Sequence, residues 1–556
     1  MKKLHYILFL LLPVSVFAQT KDSVVTRNVT VEREYVPVVK NPGKVSSAPQ
    51  VIDSKKTKTE AQYTEFNLPV PIGYAVHTLP PARLVQSQAE AREGFAQLGL
   101  GTYPNTLLDF AYPLLKRSDA QLDFTLRHRG AFGYELYSKS IANLQFNKQF
   151  DLFDLFMGIN GGHDYLSYYG KTFDKALNAQ PKNSDPTRES KLRTGAYAGF
   201  QSPEEPYEWH YRAKISYDLF NAVKNSSLEH TVTTSGGLST AFDEDRIGGD
   251  INLQNMIYSS VGNVPNSMNN YSVLKLDPYY LMRRSEDWTL RLGIKAAFSM
   301  GLGQAVNLSP DVRFDWKPIP QWLGVYGGLT GDYKVNNQNS MFDENPYLTF
   351  DSQIKNTFTP FEFFGGVKIK PLSNFFVDIF ANYRYINNQY FFENKIITRT
   401  QDPALVFGDT IYTNRFDVLY SKAKHFKTGI RLNYTYQNRL NVQLKGAYND
   451  WNMFNNDAYA WLQPMWEMDF NTSFNVTKEL AFSLNAFYES ERHAKLGNYS
   501  RAMDPKLDIN IGASYTYLDW LTFFARANNL LNNRYENFYG YRVQGLNAMV
   551  GASVSF

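Results

Sequence analysis

Residues 94–556 are written in segments of about ten residues that alternate apolar and polar side chains, the length and period of a strand crossing a bilayer. In residues 480–488, Leu480, Phe482, Leu484, Ala486 and Tyr488 share one face, and Ala481, Ser483, Asn485 and Phe487 the other. Residues 288–298 set Trp288, Leu290, Leu292, Ile294, Ala296 and Phe298 against Thr289, Arg291, Gly293, Lys295 and Ala297. Residues 507–515 repeat the pattern with Leu507, Ile509, Ile511, Ala513 and Tyr515 on the apolar side. Charge recurs on the polar side: Lys427 and Arg431 in one segment, Asp378 and Arg384 in another. A dry sandwich interior holds such charges only at high cost, so the polar face implies a wet lumen.

Beyond the first residues, no apolar run is long enough to cross a bilayer as a helix. Only helices and closed barrels satisfy every backbone group in lipid, so a membrane placement requires a barrel. Connection lengths agree. Short turns fall at 116–119, 148–149, 202–205, 242–245, 285–287, 317–320, 370–373, 437–439, 476–479 and 518–519. Variable connections lie between them, long ones at 163–190, 334–359 and 386–424. Short turns at one end and long loops at the other mark an outer-membrane barrel. The expected fold is all-β, a transmembrane antiparallel barrel of about 22 strands with both termini on the periplasmic side. A series of soluble sandwiches or propellers would show internal repeats, and the sequence has none. Aromatics near the strand ends (Trp288, Trp316, Trp322, Trp520, Tyr383, Tyr385, Tyr488) fit interfacial girdles.

The N-terminus is different. Lys2 and Lys3 precede an apolar stretch over residues 4–17, and Val16-Phe17-Ala18 fits a small-x-small cleavage site. Residues 1–18 are read as a secretory signal peptide, with Gln19 the first mature residue. Residues 19–93 carry Pro37, Pro42, Pro49, Pro69, Pro71, Pro80 and Pro81 and no clear hairpins. They are expected to form an extended periplasmic or lumenal arm. The chain has no Cys, which excludes disulfides, thiolate metal sites and an acylated cysteine anchor. The net charge of +4 is small and mixed, which gives no argument for nucleic acid.

The C-terminus carries a resemblance. RANNLLNNRYE (residues 526–536) resembles the penultimate-strand signature of TonB-dependent receptors, and residues 545–556 are similar to their last strand, which ends in Phe. The resemblance implies a 22-stranded outer-membrane barrel that transports a ligand. It further implies that Phe556 belongs to the signal read by the barrel-assembly machinery. Two departures stand out. The family has a globular plug of well over a hundred residues, whereas the arm here is short and lacks the plug's Gly-rich hairpins. Gln544-Gly545-Leu546 also stands where the family usually has Pro-Gly-Arg. The chain therefore resembles a plugless, Bacteroidota-type member.

Several stretches are candidates for function. Asp22, Ser23, Val24, Val25 and Thr26 resemble a TonB box, an extended strand that adds to a partner's sheet edge; the bland alternative is an ordinary tail. Tyr165, Tyr168, Tyr169, Tyr390, Phe391 and Phe392 are candidate outer-loop binding aromatics, with loops packing on one another as the alternative. A barrel this wide needs something to occlude it, whether the arm, infolded loops or a partner. The eight His form no close pairs, and neither G-x-S-x-G nor His-Glu-x-x-His occurs. No catalytic, cofactor or metal site is implied. The sequence reading is a barrel that passes a solute or macromolecule, in contact with outer-membrane lipid and the assembly machinery. TonB and a surface lipoprotein are further candidate partners. A scaffold barrel or a passive porin is the alternative.

Overall fold

The computed structural model describes residues 93–556 apart from 134–135, 171–187, 204–207, 224–226, 261–267, 286, 399–409 and 455–456. The first strands are β1 (Phe95–Gly101), β2 (Asn105–Lys116), β3 (Ala120–Ala131), β4 (Tyr137–Gln149), β5 (Asp154–Ser167), β6 (Arg188–Gln201), β7 (Trp209–Ala222), β8 (Ser227–Phe242) and β9 (Asp245–Ser260). β10 (Tyr271–Ser285), β11 (Trp288–Met300), β12 (Val306–Ile319), β13 (Leu323–Lys334), helix α1 (Gln338–Glu344), β14 (Thr357–Leu372), β15 (Phe375–Thr398), β16 (Thr410–Tyr436) and β17 (Leu440–Met453) follow. The chain ends through β18 (Trp466–Asn475), β19 (Leu480–Glu489), β20 (Arg492–Leu496), β21 (Tyr499–Met503), β22 (Lys506–Leu518), β23 (Leu521–Asn528), β24 (Glu536–Phe538), β25 (Tyr541–Arg542) and β26 (Asn547–Ser555).

Twenty-two strands form one antiparallel sheet, and the pairs β20–β21 and β24–β25 form two small hairpins outside it. The sheet closes because β1 pairs with both β2 and β26, with Leu98 opposite Leu108 on one side and Ala552 on the other. Gly94 and Phe556 then exchange two backbone hydrogen bonds, 2.6 and 3.0 Å, and Phe556 stacks on Tyr112. The last strand therefore alternates to the final residue because it is a seam strand. Its outward face meets apolar surroundings and its edge meets β1.

Alternation places apolar side chains outside. Leu98, Leu100, Ile159, Ile215, Ile294 and Val550 are all well exposed on the outward face. Trp209, Trp316, Trp322 and Trp520 ring the turn end, each about half exposed. The inward face is polar and largely ion-paired. Asp311 binds Arg291 at 2.7 Å, Arg313 at 2.9 Å and Lys295 at 3.7 Å. Asn471, Asn485 and Asn510 form an amide ladder across three neighbouring strands.

Inward glycines let large rings lie flat on the wall. Tyr326 covers Gly366, Phe364 covers Gly328 and Tyr279 covers Gly248; a Cβ at Gly366 would stand 2.5 Å from the Tyr326 ring.

All ten predicted short turns join barrel hairpins at one end, although some shift by a few residues; the turn expected at 148–149, for example, lies at 150–153. The connection expected over 386–424 is different. β15 and β16 continue through it as a paired ribbon to Thr398 and Thr410. Its alternation is lost because the ribbon is buried on both sides, and a bulge at Asn388 (φ 54°) shifts its register.

Candidate functional site

The most developed non-barrel feature is the connection 335–356 between β13 and β14, at the long-loop end. It holds α1 and reaches from one wall to a wall almost halfway round the barrel. Its helix is too short to stand alone and is held by its ends. The Asn337 side chain accepts from Ser340 N at 2.9 Å, in a capping box. The other two free N–H groups point at Glu229 of β8, Gln338 N at 2.6 Å and Asn339 N at 3.3 Å. Glu229 is 1% exposed, so a buried carboxylate is satisfied by a helix terminus. Ser227 donates to Gln338 Oε1 at 2.8 Å beside it.

Further contacts with this wall are ion pairs and hydrogen bonds. Arg193 of β6 pairs with Asp164, binds Asp343 at 2.9 Å and donates to Asn339 at 2.6 Å. Lys139 of β4 meets Asp343 at 3.2 Å, and buried Lys191 donates to the Pro346 carbonyl at 2.9 Å. Tyr271 of β10 donates to the Asn336 carbonyl at 2.7 Å.

The opposite wall holds the second half through backbone and rings. Phe416 N donates to Tyr347 O and Thr349 N to Phe416 O, bridging Leu348 to β16. Tyr347 stacks on Tyr541 with ring centroids 3.6 Å apart. Asp351 ion-pairs with Lys395; burial raises its carboxyl pKa, but the Lys395 ammonium outweighs that and holds it below the usual range.

Beneath and around this connection lies one apolar core. Phe220, Met256, Tyr258, Tyr271 and Val273 come from the barrel wall, Met341, Phe342, Leu348 and Ile354 from the connection, and Tyr390, Phe392 and Phe416 from the β15–β16 ribbon. The β20–β21 hairpin adds Ala494 and Met503, and the final loop adds Tyr541. Arg492 is buried there and donates to the backbone carbonyls of Glu536 and Asn537, tying that hairpin to the final loop. Burial lowers the pKa of this guanidinium, and the neighbouring Glu489 and Glu536 partly oppose the shift.

The sequence-predicted residues take distinct places. Asp22, Ser23, Val24, Val25 and Thr26 lie outside the described residues. Tyr165 sits on the outward face of β5, paired with Ser138 and Ser190. Tyr168 is buried in the cap with Arg415 against its ring; burial raises its hydroxyl pKa and Arg415 partly offsets this. Tyr169 meets Tyr347 and Tyr541 edge-on. Tyr390 and Phe392 face the crossing connection, where Tyr390 donates to Glu344 at 2.5 Å. Phe391 turns the other way, onto Trp451. The structure thus brings Tyr168, Tyr169, Tyr390 and Phe392 into one cap and leaves Tyr165 and Phe391 on separate surfaces. Phe556 lies at the seam.

Sequence reasoning missed Glu229, Arg193, Asp343, Tyr347 and Arg492. One signal was present. On inward positions near the long-loop end, polar and charged residues give way to apolar ones: Asp218 to Phe220 and Ala222, Gln254 to Met256 and Tyr258, Lys275 to Val273 and Tyr271. A strand end that is apolar on both faces is covered on both.

Among the described residues, no group of three or more His, Cys, Asp and Glu is placed to hold a metal ion. No family model and no curated protein matches this chain. Solved structures do. The siderophore receptor PirA from Acinetobacter baumannii superposes with a TM-score of 0.64 at 10% identity, covering 84% of this chain and 80% of that one. The ferripyoverdine receptor of the Pseudomonas aeruginosa outer membrane gives 0.62 at 12% identity, over 84% and 72%. The ferric-catecholate import receptor Fiu from E. coli K12 gives 0.61 at 10% identity, over 84% and 82%. At these identities the likeness is one of fold: the chain has the 22-stranded barrel of these receptors.

Proposed function

We propose that this chain is an outer-membrane barrel that passes a solute or macromolecule through its lumen, with connection 335–356 as a gate on the outer side. One observation carries this reading. The connection bridges two distant walls over a lumen lined by polar and charged side chains, held on one side by ionic and capping contacts and on the other by backbone pairing. A gate needs such a bistable element, seated by contacts that can be exchanged. The import and receptor roles of proteins with similar folds favour passage over a purely structural role.

Residues 19–93 are proposed as a periplasmic or lumenal arm, and Asp22–Thr26 within them as the segment that TonB engages. Binding of a peptide spanning residues 19–40 to the C-terminal domain of the host's TonB tests this, with Val25→Pro as control. Binding lost in the control supports energised passage; no binding removes TonB from the account.

The interlocked cap also favours a second reading, a permanently closed barrel that scaffolds a surface lipoprotein. Co-purification with a lipoprotein in fixed ratio, together with a gate that never opens, would establish that alternative.

A further inference from the structure

The outward face of β3–β7 carries a depression of about 590 Å³, lined among others by Leu144, Phe146, Met157, Ile159, Ala196 and Ala198. In register, Leu144–Ile159–Ala196 and Phe146–Met157–Ala198 form two adjacent rows across three strands. One row further toward the long-loop end stand Ala142, Gly161 and Thr194. A Cβ built at Gly161 would meet nothing within 4 Å, so the depression continues upward as an open slot.

Immediately beyond the slot the outward face turns polar on β3, β4 and β5, with exposed Leu192 continuing the row on β6. His128, Ser140 and His163 form one register row across β3, β4 and β5. His128 bonds Thr106 at 3.0 Å and Ser140 at 2.8 Å, while His163 bonds Ser190 at 2.8 Å. Exposed Arg188 shares the outward face of β6 with Ser190. His230 of β8 continues the band beside Tyr217, at 2.7 Å. The other described histidines lie elsewhere: His210 and His425 face the lumen, and His493 lies in a cap hairpin. The band carries no carboxylate among the described residues of β2–β7. It offers N–H and O–H donors and one fixed cation, directly above an apolar slot.

We infer that this face is a binding site for an outer-leaflet glycolipid whose headgroup carries phosphate. The headgroup takes donors from His163 and, two outward rows beyond it, from Arg188, while His128 is already engaged with Thr106 and Ser140; one acyl chain runs down over Gly161 into the depression. The step from His163 to Ile159 is four residues, about 13 Å of strand, which separates headgroup from chain by a distance a lipid spans. Charge-assisted donors select a phosphate at that depth, and the apolar slot excludes a polar partner.

Native mass spectrometry of the purified full chain with bisphosphorylated lipid A, and with the same lipid dephosphorylated, tests the site. The wild-type protein should retain the phosphorylated lipid about tenfold better than the dephosphorylated one, a difference of about 1.4 kcal/mol. The double variant His163→Ala/Arg188→Ala should lose that preference. Gly161→Trp should displace both lipids, and since the position is open the barrel should still migrate as folded without heating. Equal retention of the two lipids by the wild type, or unchanged binding in both variants, overturns the assignment and leaves ordinary annular contact.

Discussion

Replacing Glu229 with Ala unseats the helix that anchors the crossing connection. The free amides of α1 are fully accounted for: Ser340 N goes to Asn337, and Gln338 N and Asn339 N go to Glu229. Without the carboxylate, two donors lose their partner, one of them in a buried position. Leaving a buried donor unsatisfied costs about 1–3 kcal/mol, so the pair together costs about 3 kcal/mol. The cost falls on the seated state alone, because in the open state water satisfies both amides. The open population should therefore rise about 10²-fold. Glu229→Gln keeps one carbonyl acceptor and should give an intermediate rise. Limited proteolysis reads this directly, since cleavage within 338–356 tracks the open population when closing is faster than cutting. The barrel itself, checked by heat-modifiable gel mobility, should remain folded. Wild-type cleavage rates in a folded Glu229→Ala barrel would refute the assignment of Glu229 as the anchor.

Gly366→Ala places a Cβ 2.5 Å from the Tyr326 ring and should cost about 1–3 kcal/mol by overpacking, whereas Gly161→Ala, with nothing within 4 Å, should be near neutral; the unfolding temperature on gels separates them. Asp311→Ala leaves Arg291, Arg313 and Lys295 without their shared carboxylate, and urea unfolding should show a loss of about 3–5 kcal/mol. Removing Phe556 deletes the residue that closes the seam to Gly94 and stacks on Tyr112; folded barrel recovered from cells should fall sharply while total protein falls less.

What was legible in the sequence was whatever two solvents enforce. On β11, Leu292 and Ile294 face out while Arg291 and Lys295 face in, because apolar surroundings and lumen water each reject the other's side chains. That rule fixes strand period and strand count. It stops at the long-loop end, where protein covers both faces. There Tyr390, Phe391 and Phe392 read as an aromatic loop, yet they are consecutive strand residues whose rings pack on opposite sides. The anchor was invisible for another reason: Glu229 and Gln338 are 109 residues apart and neither belongs to a motif. Only the fading of polar and charged residues from inward positions near Phe220 and Met256 hinted that something covered them.

The central claim is that connection 335–356 closes an otherwise passable lumen. Single-channel recording in planar bilayers tests it, comparing the full chain with a variant in which residues 338–352 are replaced by a short Gly-Ser linker. The account predicts a silent wild type and large, steady conductance in the variant. Equal silence from both, with the variant barrel shown to be folded, would contradict it and place the barrier deeper in the lumen.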